Sequence, residues 1–163
     1  MEEGKLKVLQ GYVDADYAGD LDQRRSITSY VFMVAGYTIS WKAELRDIVV
    51  LYTMEAEYMA AVEASKEALW LQGLVNTFGV KQEEVKIHCD SQSTIHLAKD
   101  QRYHKRTKHI DIRYHKIREW ILEKKVIELV KISTKKNPAD MMTKAIPVDK
   151  FQASLDFIHV LRR

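Results

Sequence analysis

Hydrophobic positions in this chain alternate between a strand period and a helix period. Residues from about Leu6 to Val13 form an apolar run that reads as a first strand. Beyond a polar, charged turn from Ala18 to Arg25, Ile27 to Val34 and Thr38 to Lys42 read as a hairpin around Ala35 and Gly36, antiparallel to that strand. Residues 43 to 52 mix charges with the β-branched run Ile48 to Val50 and read as a loop or irregular strand. From Met54 to Phe78 the period becomes helical: Tyr58, Val62, Leu69 and Phe78 share a face that Ala61, Trp70 and Leu74 widen, and Gly79 is the stop signal. A strand from Val85 to Cys89 and a helix from Ser91 to Lys99 follow, with Ile95 and Ala98 facing the core. The next helix runs to about Lys124 and offers Ile112, Ile117, Trp120 and Ile121 for packing. Val126 to Ile132 alternates as an edge strand does. A short helix from Pro138 to Ala145 and a C-terminal helix from about Val148 to Leu161 complete the order. Such an order predicts an α/β fold with a mixed five-stranded sheet, the first and fourth strands pairing in parallel.

Parallel pairing of those two strands has a chemical consequence. Asp14 and Asp90 follow the apolar runs of the first and fourth strands, so both are expected at strand tips on one edge of the sheet. Glu57 is expected in the first turn of the long helix opened by Thr53. Asp140 follows Asn137 and Pro138, which read as an N-cap and first helical residue. Singly, each acid is an ordinary cap or dipole-complementing residue. Together they would repel unless a cation intervened, and an all-oxygen set suits Mg²⁺ or Mn²⁺ rather than zinc.

Composition narrows the classes. With 163 residues, 46% hydrophobic and 30% charged, the chain is expected to form a single domain with its core over about 6–146 and a C-terminal helix over about 148–161. No apolar run approaches bilayer length, and the start Met-Glu-Glu-Gly-Lys lacks the features of a signal peptide. A protein inside the cell, cytoplasmic or nuclear, with no membrane partner is expected. The one cysteine, Cys89, excludes an internal disulfide and reads as a small buried residue.

The net charge of +3 says less than its distribution. Arg102 to Arg118 gathers Lys105, Arg106, Lys108 and Arg113 with Tyr103 and Tyr114 interleaved, a pattern suited to a phosphate backbone. A solvated helix face is the plainer reading of such a run.

Seven ordered segments carry a resemblance: GYVDADYAGD (11–20), RRSITSYVF (24–32), ISW (39–41), EAEYMAAVEASKEALWL (55–71), CDSQSTIHLAK (89–99), RTKHIDIRYHKIRE (106–119) and NPADMMTK (137–144). In this order they resemble the ribonuclease H domain of copia-type LTR retrotransposon polyproteins. That resemblance implies a ribonuclease H-like sheet of order 3-2-1-4-5. It also implies an endonuclease that cuts the RNA strand of RNA/DNA hybrids during reverse transcription. The family correspondence places the four catalytic and metal-holding acids on Asp14, Glu57, Asp90 and Asp140, with Asp16 and Glu55 as near neighbours. Two Mg²⁺ or Mn²⁺ ions roughly 4 Å apart would clamp the scissile phosphate. Ser91 and Gln92 become groove contacts, with the N-cap of the next helix as the alternative role of Ser91. Lys135 and Lys136 become phosphate contacts, and the polymerase domain of the parent polyprotein a partner. As an isolated domain the chain is expected to be monomeric.

Two segments depart from the family pattern. Ser133 to Asn137 reads STKKN, without the histidine that cellular enzymes of this superfamily carry on that loop. The stretch KAELRDIVVLYTMEAEY (42–58) is bulkier and more charged than the usual approach to the long helix. The rival reading is a domesticated or relic nucleic-acid-binding module with weak or no catalysis. A third is a protein-interaction domain built on the C-terminal helix around Phe151, Leu155 and Ile158.

Overall fold

The computed structural model describes residues 8–20, 25–49, 53–100 and 116–159, and the side chains of all of these except 18–20 and 47–49. Five strands form one mixed sheet: β1 (Leu9–Asp20), β2 (Arg25–Val34), β3 (Tyr37–Val49), β4 (Val85–Cys89) and β5 (Ile127–Lys131), in the order β3-β2-β1-β4-β5. The β1–β2 and β2–β3 pairs are antiparallel; β1–β4 and β4–β5 are parallel. Helix α1 (Thr53–Thr77) leads from β3 to β4, and α2 (Gln92–Lys99) follows β4. The segment Lys116–Arg118, α3, passes into a π-helical turn, Glu119–Glu123. After β5 come 3₁₀ turns at Thr134–Lys136 and Pro138–Met142, then α4 (Val148–Phe157).

Strand alternation divides the core between the two faces of the sheet. Leu9, Val13, Phe32, Ile87 and Leu129 pack with α1 and α2 on one face, while Tyr12, Val31 and Met33 pack with Ala139 and Ile158 on the other. Gly11 pairs across to Phe32, whose ring would lie 2.4 Å from any Cβ placed there. Only glycine fits beneath that ring. The β2–β3 hairpin turns through Ala35 and Gly36 with φ of 56° and 78°, as a two-residue turn with positive φ at both central positions requires.

Several expectations are corrected. β1 does not end at Val13: its pairing with β4 stops at Val13–Cys89, but β2 continues to pair with it through Asp16 and again at Asp20. Of the two readings of residues 43 to 52, the irregular strand holds as far as the described residues reach: β3 runs on from Lys42 to Val49 with a register shift against β2. The antiparallel partner β2 supplies the backbone hydrogen bonds that the polar sequence does not advertise. The buried face of α1 mixes small residues, Ala56, Ala60, Ala61, Ala64 and Ala68, with the expected Tyr58 and Val62 and with Met59, Leu71 and Val75. Trp70, Leu74 and Phe78, read from the sequence as core, point outward, with Phe78 79% exposed. Gly79 ends the helix as expected, at φ +84°. The last two helices are shorter than expected, the first being a single 3₁₀ turn, Pro138–Met142. Among the described residues no helix is long and apolar enough to cross a membrane.

The C-terminal helix covers part of the second face. Ile158 is buried there and the Phe157 ring meets Tyr12 edge-on at 5.4 Å, while Phe151 stays exposed.

Candidate active site

Where β4 ends, β1 continues alone on that side, and a notch opens beside it. Asp14 is the first β1 residue past the last parallel pair, and Asp90 follows β4 directly. Asp14 therefore lies at the end of one ladder rather than at a strand tip. Asp140 reaches the same notch from the turn Pro138–Met142. One oxygen from each of Asp14, Asp90 and Asp140 lies within 4.8 Å of the others, and among the described residues Asp16, Glu55 and Glu57 all stay outside this group.

Asn137 sets the position of that turn. Its carboxamide oxygen accepts from the Ala139 N–H at 3.2 Å, the N-cap interaction its place before proline suggests, while Nδ2 donates to the Val13 carbonyl at 2.9 Å. One fully buried amide thus clamps the Asp140 turn to the residue preceding Asp14. Ser29 Oγ adds a bond to the Ala139 carbonyl at 2.8 Å.

Glu57 approaches from α1, in the second turn rather than the first, because the helix begins at Thr53. Half-buried, it hydrogen-bonds Ser91 and feels the charge of Asp90. Burial raises its carboxyl above the ordinary value, the Ser91 bond opposes this and Asp90 adds to it. The structure thus gathers Asp14, Asp90 and Asp140 tightly, with Glu57 alongside.

Electrostatics in the notch are dominated by burial and crowding. Asp14 is 5% exposed, and its carboxyl is pushed up to about 7, first by burial and then by its hydrogen bond with Asp140. Burial also works to raise Asp140, but bonds to Asp14, Lys144 and Lys150 outweigh it and hold Asp140 below the carboxylate range. Thr143 Oγ1 donates to Asp14 Oδ2 at 2.6 Å. Lys144 Nζ stands 2.6 Å from Asp140 Oδ1 and 3.6 Å from Asp14 Oδ2, and Lys150 Nζ pairs with Asp140 Oδ2.

Sequence reasoning assigned no role to Thr143, Lys144 or Lys150. The first two stand three and four residues after Asp140, the spacing at which neighbours on a helical turn meet. Lys150 reaches the acid from another element, and nothing local announces it.

The donor set suits a hard divalent cation. Three carboxylates converge, two almost fully buried, every ligand atom is oxygen, and a lysine ammonium already lies between two of them. Cys89 is excluded from this chemistry: burial pushes its thiol up to about 12.

Residues expected at nucleic acid divide into two groups. Ser91 caps α2 by accepting from the Thr94 N–H at 3.2 Å, beside the exposed Gln92. Lys135 and Lys136 are exposed on the turn Thr134–Lys136, just before the Asp140 turn. Lys105, Arg106, Lys108 and Arg113 lie outside the described residues.

The fold has solved counterparts. LC11-RNase H1 in complex with RNA/DNA hybrid superimposes with a TM-score of 0.55 at 18% identity, covering 83% of this chain and 93% of that one. Prototype foamy virus protease–reverse transcriptase gives 0.55 at 13% identity, covering 97% of this chain and 22% of that one. Sheet order and helix placement thus define the ribonuclease H-like fold.

Sequence relatives narrow this further. The retrovirus-related Pol polyprotein from transposon TNT 1-94 of Nicotiana tabacum is 48% identical over 155 residues, 95% of this chain and 12% of the polyprotein. That from transposon RE1 of Arabidopsis thaliana is 32% identical over 163 residues, 99% of this chain and 11% of the polyprotein. No protein-family model matches. The chain belongs to the retrovirus-related Pol polyproteins of transposons and corresponds to a small segment of their length.

Proposed function

We propose that this chain is a metal-dependent endonuclease that hydrolyses the RNA strand of RNA/DNA hybrids during retrotransposon reverse transcription. The observation that carries the reading is the convergence of Asp14, Asp90 and Asp140 within 4.8 Å in a ribonuclease H-like sheet. Asp14, Asp90 and Asp140, with Glu57 beside Asp90, would hold two Mg²⁺ or Mn²⁺ ions. When bound, such ions activate the attacking water and stabilise the departing oxygen. Asp14, buried between the other acids and tied down by Thr143, presents its carboxylate in one orientation. Asn137 keeps Asp140 in register with it. Ser91 and Gln92, which follow Asp90 directly, would serve as groove contacts to the 2′-hydroxyls of an A-like hybrid. Lys135 and Lys136 supply phosphate contacts nearby.

Residues 1–163 would act as one domain inside the cell, in the cytoplasm or nucleus, with the polymerase portion of the polyprotein as partner. Hybrid binding by a ribonuclease H1 of this fold supports the substrate class.

A second reading, a nucleic-acid-binding module without turnover, draws on one observation: Lys144 and Lys150 already neutralise Asp140. Incubating the chain with labelled RNA/DNA hybrid and Mg²⁺ or Mn²⁺, beside Asp14→Asn and Asp90→Asn, separates the two. Metal-dependent cleavage lost in both variants supports the nuclease. Binding without cleavage supports the module.

A further inference from the structure

Three carboxylates within 4.8 Å of one another are relieved by a shared proton or by positive charge among them, and here a side chain brings such charge. Lys144 Nζ lies 2.6 Å from Asp140 Oδ1 and 3.6 Å from Asp14 Oδ2, between two acids that are 2% and 3% exposed at their side chains. We propose that the Lys144 ammonium is a built-in placeholder for a divalent cation, which must leave the gap between Asp140 and Asp14 before a metal ion can enter. The inference rests on the nuclease reading, since it concerns the same carboxylates.

Three features separate Lys144 from an ordinary structural ion pair. It touches two of the three converging acids at once, as a shared cation would. Its side chain remains 38% exposed, and the flexible stem lets the head swing into water without unpacking the fold. The other lysine on Asp140 behaves differently: Lys150 pairs with Oδ2 from α4, at 21% exposure, and ties that helix to the turn. Asp140 thus divides its oxygens, Oδ2 to a helix tether and Oδ1 to the exchangeable cation. Lys131 approaches Asp90 at its backbone carbonyl rather than its carboxylate, so no second lysine has the position of Lys144 among the described residues.

The consequence is competition. A metal ion binds only the fraction of molecules from which Lys144 has withdrawn, and apparent affinity falls by that fraction. A placeholder would keep the acids assembled when metal is scarce and release them when it is abundant.

The test measures Mn²⁺ binding by calorimetry without nucleic acid, for the wild-type chain, Lys144→Met, Lys150→Met and Asp14→Asn, each checked for native circular dichroism. Lys150→Met removes the same charge from the same acid and serves as the electrostatic control. The expected result is binding about tenfold tighter in Lys144→Met, a clearly smaller gain in Lys150→Met, and loss of binding in Asp14→Asn. In the wild-type chain, Mn²⁺ should speed acylation of Lys144, read by mass spectrometry, more than acylation of Lys150. Equal affinity of Lys144→Met and wild type, or equal gains in both lysine variants, overturns the placeholder and leaves the nuclease reading standing. Absence of Mn²⁺ binding in every protein overturns both.

Discussion

Asp14 is a carboxyl that burial holds away from its ionised form. Its unfolded value is near 3.8 and its folded value about 7, so the native state retains a proton that the unfolded chain releases. Stability contributed by that proton is present at low pH and is lost as pH rises from 3.8 to about 7. Asp14→Asn should therefore make the metal-free protein more stable at pH 8, by on the order of 1 kcal/mol or more, with little gain at pH 4. Denaturant unfolding in EDTA at the two pH values measures this, and a less stable variant at pH 8 would remove the burial argument. Asn137 gives the opposite expectation. Truncation to alanine leaves the Val13 carbonyl and the Ala139 N–H without their side-chain partners in a fully buried place. A loss of about 2–3 kcal/mol is expected, with Asp140 displaced and cleavage reduced more than hybrid binding.

Elements differ in how openly the sequence declares them. β4 matches its expected span, Val85–Cys89, because Val85, Ile87 and Cys89 alternate with polar residues between polar flanks. The extension of β1 past Val13 is hidden, since Asp14 and Asp16 look like turn residues and only the antiparallel partner β2 makes them strand. The face of α1 is legible at Tyr58, Ala61 and Val62, which are buried, but not toward its C-terminal end. Large side chains dominate a hydrophobic pattern, yet Trp70 and Phe78 turn outward while Ala60, Ala64 and Ala68 are buried beside Leu71 and Val75. At the site, the acids were legible through the family resemblance, Asn137 through its place before proline, and Lys150 not at all, because its position depends on how α4 packs. One element is open to improvement. Ala35 holds φ 56° in the hairpin, a region where asparagine is better tolerated than alanine. Ala35→Asn, giving Asn-Gly at the turn, should raise stability by about 0.5–1 kcal/mol, seen as a higher thermal midpoint with unchanged cleavage.

At the scale of the molecule, one sheet places every element of the account. Two parallel pairs end early, the antiparallel hairpin continues, and the resulting notch collects acids from β1, from the end of β4, from α1 and from the turn before α4. The relatives that share this sequence are far longer, and the chain covers 12% of one and 11% of the other. Its proposed activity is therefore a local property of the notch, to be tested on the chain itself. The most direct measurement is the cleavage rate on an RNA/DNA hybrid for matched pairs of neighbours: Asp14→Asn against Asp16→Asn, and Glu57→Gln against Glu55→Gln. The account predicts that the first of each pair loses at least about 10²-fold while the second retains most of the wild-type rate in folded protein. Equal losses within each pair, or full activity in Asp14→Asn, would contradict it.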